Sequence, residues 1–161
     1  MSQATRAEVR AELPGPERTD HAGLLAGTRV LTAEGVLPVE LLCPGDRVIT
    51  RAGMRRLLAV EWLVQARAPV VRIAPRSIGA GRPGVVVVVG PAQPLLIRDW
   101  RAQALWGQAE AVVPARRLVD GSLIRDAVLP VAHFLTLHFA ADEVIYAEGV
   151  EIACASQRVT A

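Results

Sequence analysis

Two cysteines, Cys43 and Cys154, and three histidines, His21, His133 and His138, are the side chains of this 161-residue protein with the widest chemical reach. A thiolate attacks carbonyl carbon, and an imidazole moves a proton near neutral pH, so a Cys–His pair would suffice for nucleophilic catalysis. The spacing does not assemble one by itself. The cysteines stand far apart, without a Cys-x-x-Cys step or an adjacent histidine, so neither a zinc site nor a disulfide framework is indicated. As free thiols both read first as small buried hydrophobes. Cys43 precedes the turn Pro44-Gly45-Asp46 and has no base beside it in sequence, whereas Cys154 depends on the fold to bring His133 or His138 to it. No phosphate-binding loop, dinucleotide fingerprint, nucleophile elbow or His-Glu-x-x-His zinc motif is present, and the reading calls for no cofactor and no metal.

The elements that must position these groups read as strands. Hydrophobic residues make up 52% of the chain and aromatics only 4%, so a core of Val, Leu, Ile and Ala is expected. The basic residues are all arginine, and a net charge of +2 with interspersed acids gives no electrostatic case for nucleic acid. No apolar run approaches a membrane span and no signal-peptide core opens the chain, which makes the cytoplasm the default location. Residues 1–20 mix charges with alanine and break at Pro14-Gly15-Pro16, the composition of a flexible N-terminal arm, and 21–161 reads as one domain.

Within that domain short apolar runs are expected to form strands at 29–32, 35–38, 47–50, 56–65, 70–73, 85–89, 94–98, 112–114, 122–128, 135–139 and 143–147. Glycine-bearing turns separate them, with single helical turns at 39–42 and 115–118 and a short helix within 99–111. Many short strands at such intervals make an all-β fold. The valine run 85–89, apolar throughout, is expected to be covered on both faces at the centre of the core. Asp46 is expected to accept hydrogen bonds from turn amides, and Glu148-Gly149 to close a hairpin. Trp62, Trp100 and Trp106 read as core or rim anchors, and Trp100 with Arg98 and Arg101 forms a candidate binding patch, because Trp and Arg dominate interface hot spots.

The order of the local motifs carries more than any one of them. Gly27-Thr28 enters a strand, Ala33-Glu34-Gly35 turns it, Pro44-Gly45-Asp46 precedes another, Gly90-Pro91-Ala92-Gln93 leads into Pro94–Ile97, and Ala147-Glu148-Gly149 closes the last hairpin. This succession resembles the bacterial Hint family, the self-processing β-fold shared by inteins and hedgehog C-terminal regions, over residues 23–155. The resemblance implies a Hint-like all-β fold. In self-processing members a cysteine just before the Gly-Thr pair attacks the preceding carbonyl, a histidine after the central strand protonates the leaving nitrogen, and further histidines stand in the closing hairpin. The matching places here hold Gly23, Gln93, Thr136 and Asp142.

The resemblance therefore implies a degenerate Hint domain that has lost autoprocessing and serves as a binding or scaffold module, with a protein or peptide as partner. Its groove between Gly23, Gln93 and Thr136 would persist as a concave surface. The alternative is a diverged self-cleaving domain that uses Cys154 or Cys43, with His138 supplying a histidine two residues from Thr136 on the same strand face. A remnant with neither activity is the third reading.

Overall fold

Residues 20–79 and 81–156 are described by the structure, a computed structural model. The arm read at 1–20 lies outside them apart from Asp20, as do residues 157–161.

Left-handed glycines at the turns let short β-rich runs fold back on one another, as at Gly149 with φ 85° after Glu148 with φ 52°. The strands are β1 (Leu24–Leu25), β2 (Arg29–Thr32), β3 (Gly35–Pro38), β4 (Arg47–Thr50), β5 (Gly53–Arg56), β6 (Ala59–Ile73), β7 (Val87–Val89), β8 (Pro94–Ile97), β9 (Ala111–Pro114), β10 (Ile124–His138), β11 (Glu143–Ala147) and β12 (Val150–Cys154). The α-helix among the described residues, α1, spans Trp100–Trp106, and single 3-10 turns occupy Val39–Leu41 and Ala115–Leu118. The all-β expectation holds. No helix among the described residues is long and apolar enough to cross a membrane.

Strands β1, β10, β6 and β7 close into a ring, and a second sheet runs β3-β2-β4-β11-β12-β8-β9 with β5 added on β4. The two longest strands, β6 and β10, pair antiparallel from Ile73↔Ile124 to Ala59↔His138. The sequence reading divides each of them in two, leaving gaps at 66–69 and 129–134. The ladder passes through both. Pro130, which has no N–H to donate, falls opposite Arg67, and Arg67 takes a left-handed φ of 49° at that point. Strands β1, β5 and β12 were not among the expected ones.

The core lies where the two sheets meet and is built from Val30, Val48, Val71, Val89, Leu95, Leu135, Ile145 and Ile152. Only half of the valine run behaves as read. Val87 and Val89 are buried, while Val85 and Val86 are 49% and 44% exposed, because the run enters the sheet only at Val87. Of the tryptophans read as core or rim anchors, Trp106 packs half-buried against the core, while Trp62 and Trp100 are 54% and 68% exposed.

Entry of the chain into the domain is set by hydrogen bonds across the β7–β8 turn. The Ala92 N–H donates to the His21 carbonyl at 3.1 Å and the Gly90 N–H to the Gly23 carbonyl at 2.9 Å. The crossing is so close that a Cβ on Gly90 would stand 2.0 Å from the His21 oxygen. Gly90→Ala must therefore push the entry segment off the turn, at a cost of about 1–3 kcal/mol as for other overpacked sites. Gly84→Ala is the control, since no atom lies within 4 Å of a Cβ there. Urea unfolding should show a clear loss of midpoint for the first variant and little change for the second.

Candidate functional site

The crossing at Gly90 carries the entry segment on to β10, and this brings Gly23, Gln93 and Thr136 together. The Gly23 N–H donates to Gln93 Oε1 at 2.9 Å inside the protein. On its other side Gln93 donates through Nε2 to the Pro94 carbonyl at 3.0 Å and the Ala153 carbonyl at 2.9 Å. Those carbonyls can only accept, so the amide nitrogen faces them and the oxygen faces Gly23. With 4% of its surface exposed, the Gln93 side chain is locked in this orientation.

Gly23 holds a φ of 115°, which residues with a side chain rarely adopt. A Cβ there would lie 3.1 Å from the Leu135 carbonyl oxygen and the Phe134 Cβ, and 3.2 Å from Thr136 Oγ1. The place read as vacant of a nucleophile is thus occupied by the backbone itself, packed against β10. Asp142, read as the other vacant histidine place, accepts the Ser156 N–H at 2.7 Å and ties down the segment after β12.

Beside this contact lies a cavity of about 210 Å³ whose lining includes Gln93, Thr136, His138, Ile145 and Cys154. The fold therefore does gather the fallback cysteine and His138 with two of the vacant positions. It does not favour the thiolate. Burial pushes the Cys154 thiol up to about 12, with the nearby Glu143 charge acting in the same direction. His138 Nε2 stands 3.3 Å from Glu61 Oε2, but out of line for a hydrogen bond. Neither ring nitrogen of His138 has a hydrogen-bond partner among the described residues, so no bond joins it to Cys154.

Cys43 departs from the expectation of a buried thiol and is exposed, since the Pro44-Gly45-Asp46 turn carries it to the surface. Asp46 plays the expected part there, accepting the Cys43 N–H at 2.9 Å. The Cys43 thiol itself reaches only the Leu41 carbonyl, at 3.8 Å, which offers no base. His133 is exposed on β10.

The three residues read as a binding patch divide into two groups. The Arg101 guanidinium lies 5.0 Å from the Trp100 ring centroid and pairs with Asp99, which also caps α1 by accepting the Arg101 N–H. Arg98 turns instead to Glu151, a buried carboxylate of β12. Sequence reasoning missed both buried carboxylates of the closing hairpin, Glu143 and Glu151. Glu143 accepts from Thr50 Oγ1 at 3.2 Å and pairs with Arg55 at 3.3 Å. Nothing local marks these two as buried, because their partners come from strands far away in sequence.

The contrast between the thiols is measurable. In the folded protein a disulfide reagent at neutral pH should modify Cys43 rapidly and spare Cys154, which reacts only after denaturation. The Cys154 pKa is raised above its ordinary 9.0. The stability gained by keeping that thiol neutral is therefore full below pH 9 and falls as the pH climbs towards 12. Cys154→Ala should flatten that alkaline decline in a pH series of unfolding midpoints.

A family model described as the Hint domain matches residues 22–156. Among solved structures, the gp41-1 intein is similar at 11% identity, with 82% of this chain and 98% of that one covered at a TM-score of 0.56. The MchDnaB-1 intein variant shares 15% identity over 83% of this chain and 99% of its own, with a TM-score of 0.55. The bacterial intein-like domain from Clostridium thermocellum shares 16% over 84% and 99%, with a TM-score of 0.51. No functionally curated protein matches the sequence.

Proposed function

This chain belongs to the Hint domain family, and from that premise we propose that it is a member in which cysteine-initiated self-cleavage has lapsed and whose present role is to bind a protein or peptide. The observation that carries the proposal is the hydrogen bond from Gly23 N–H to Gln93 Oε1. In the family's reaction a thiol adds to the carbonyl of the residue before it, and the amide nitrogen between them must take up a proton to leave. Here that nitrogen belongs to Gly23, which has no thiol. Its N–H faces an acceptor oxygen rather than a proton donor, and a carboxamide does not titrate near neutral pH. The nucleophile and the acid are both missing, and the same hydrogen bond holds the peptide between Ala22 and Gly23 in its ground state.

Self-cleavage through another cysteine is the weaker reading. Cys154 would have to give up a proton that burial holds to about pH 12, and Cys43 sits on an exposed turn without a base. The binding role is supported by the cavity of about 210 Å³ left beside Gln93 and by the Trp100 ring standing in solvent over Arg101.

Intact-mass measurement of the full chain after prolonged incubation, with and without dithiothreitol, tests the loss of processing. The mass should stay unchanged under both conditions. A thiol-dependent fragment ending at Ala22 would overturn the proposal. Restoring the nucleophile alone should not restore cleavage: Gly23→Cys is expected to remain intact and to lose about 1–3 kcal/mol of stability to the left-handed backbone and the crowding by β10.

A further inference from the structure

A second cavity shares no lining residue with the first and lies between Arg82, the end of β8 and the start of β12, with a volume of about 330 Å³. Its walls are apolar at Ile78, Leu96 and Val150, and its charges are Arg82, Arg98, Asp99 and Glu151. We propose that this cavity is a binding site for a single carboxylate on a short apolar stem, held by Arg82. The inference goes beyond the reading of the Gly23–Gln93 contact and does not depend on it.

The Glu151 carboxylate, its side chain 4% exposed, is taken in a two-pronged grip by Arg98, through Nε at 2.8 Å and through Nη2. Arg82 approaches the same carboxylate only to 3.9 Å, too far for a hydrogen bond. Its Nε is buried and has no hydrogen-bond partner among the described residues. Asp99, the other acid on the lining, is already paired with Arg101. Two guanidinium groups thus share one carboxylate, Arg98 through hydrogen bonds and Arg82 only as a looser ion pair at 3.9 Å, which leaves Arg82 the group with binding capacity to spare.

The planar fork of a guanidinium matches the two oxygens of a carboxylate. The stem of Arg82 is supported by the Gly149 turn, where a Cβ would meet Arg82 Cγ at 3.6 Å. The loosely paired charge of Arg82 suits a monoanion, while a phosphate dianion would meet more of the repulsion of buried Glu151. The volume sits at the small end of ligand sites, the size for a small organic acid or for one acidic side chain of a peptide.

Titration of the full-length, 15N-labelled protein tests this with four probes: butyrate, the blocked peptide acetyl-Ala-Glu-Ala-amide, its Gln counterpart and inorganic phosphate. The expected result is saturable shifts confined to the residues around Ile78, Arg82, Leu96 and Val150, from butyrate, the Glu peptide or both. Butyrate alone assigns a free acid as the ligand, and the peptide alone assigns an acidic side chain. Arg82→Gln should weaken binding about tenfold or more, as loss of a charge-assisted pair does. It should leave Glu151 paired with Arg98 and the fold intact. If that variant does not fold, the location of the shifts in the wild-type protein decides alone. No saturable shift, shifts elsewhere, equal response to the Gln peptide, tighter binding of phosphate, or indifference to Arg82→Gln would each overturn the assignment.

Discussion

Where a chain enters its own core, every backbone polar group that leaves water has to find a partner, and at Gly23 that partner is the side chain of Gln93. The carbonyls of His21 and Gly23 are satisfied by the β7–β8 turn, and the N–H of Gly23 by Gln93 Oε1. These bonds seat β1 between β7 and β10 and so close the four-stranded ring. They require a backbone without side chains at both crossing points. Gly90 meets the first demand and Gly23 the second, with almost no space for a Cβ at either. Gln93 in turn is held by the Ala153 carbonyl of β12, which links the entry segment to the other sheet.

The chemistry of the site follows from this packing. On the proposed reading, a peptide clamped through its N–H to an acceptor is protected rather than activated. The buried environment also holds Cys154 as a neutral thiol, and the exposed thiol, Cys43, sits on a turn where its Sγ meets only the Leu41 carbonyl. Charge is admitted to the interior only where it is answered. Glu143 is met by Thr50 and Arg55, and Glu151 by Arg98. Arg82, more exposed, meets Glu151 only at 3.9 Å and lines a cavity.

Much of this was legible in the sequence because it depends on local signals. Alternating apolar residues bounded by glycine turns located β2, β3, β4, β8 and β11, and the Pro-Gly-Asp turn announced the role of Asp46. The family resemblance, followed back from Gly27-Thr28, through Gly90-Pro91-Ala92-Gln93 and along the closing hairpin, picked out Gly23, Gln93 and Thr136, and the fold brings these three together. What the sequence hid is non-local. The gaps left at 66–69 and 129–134 are spanned by the β6–β10 ladder, whose partners lie far apart in sequence. The two-residue strand β1 has no periodicity to read. The need for glycine at position 90 comes from a contact with His21, and the pairing of Arg98 with Glu151 spans 53 residues. The exposure of Trp100 could not be read from its type, since an aromatic ring is as often an anchor as a surface group.

The central claim, that Gln93 clamps the peptide at the head of the domain, is tested most directly by amide hydrogen exchange at Gly23. The account expects the Gly23 N–H to be protected to the level of the core strands and to lose most of that protection in Gln93→Ala while the β6–β10 ladder keeps its own. A Gly23 amide that exchanges in the wild-type protein as fast as an exposed loop would contradict it.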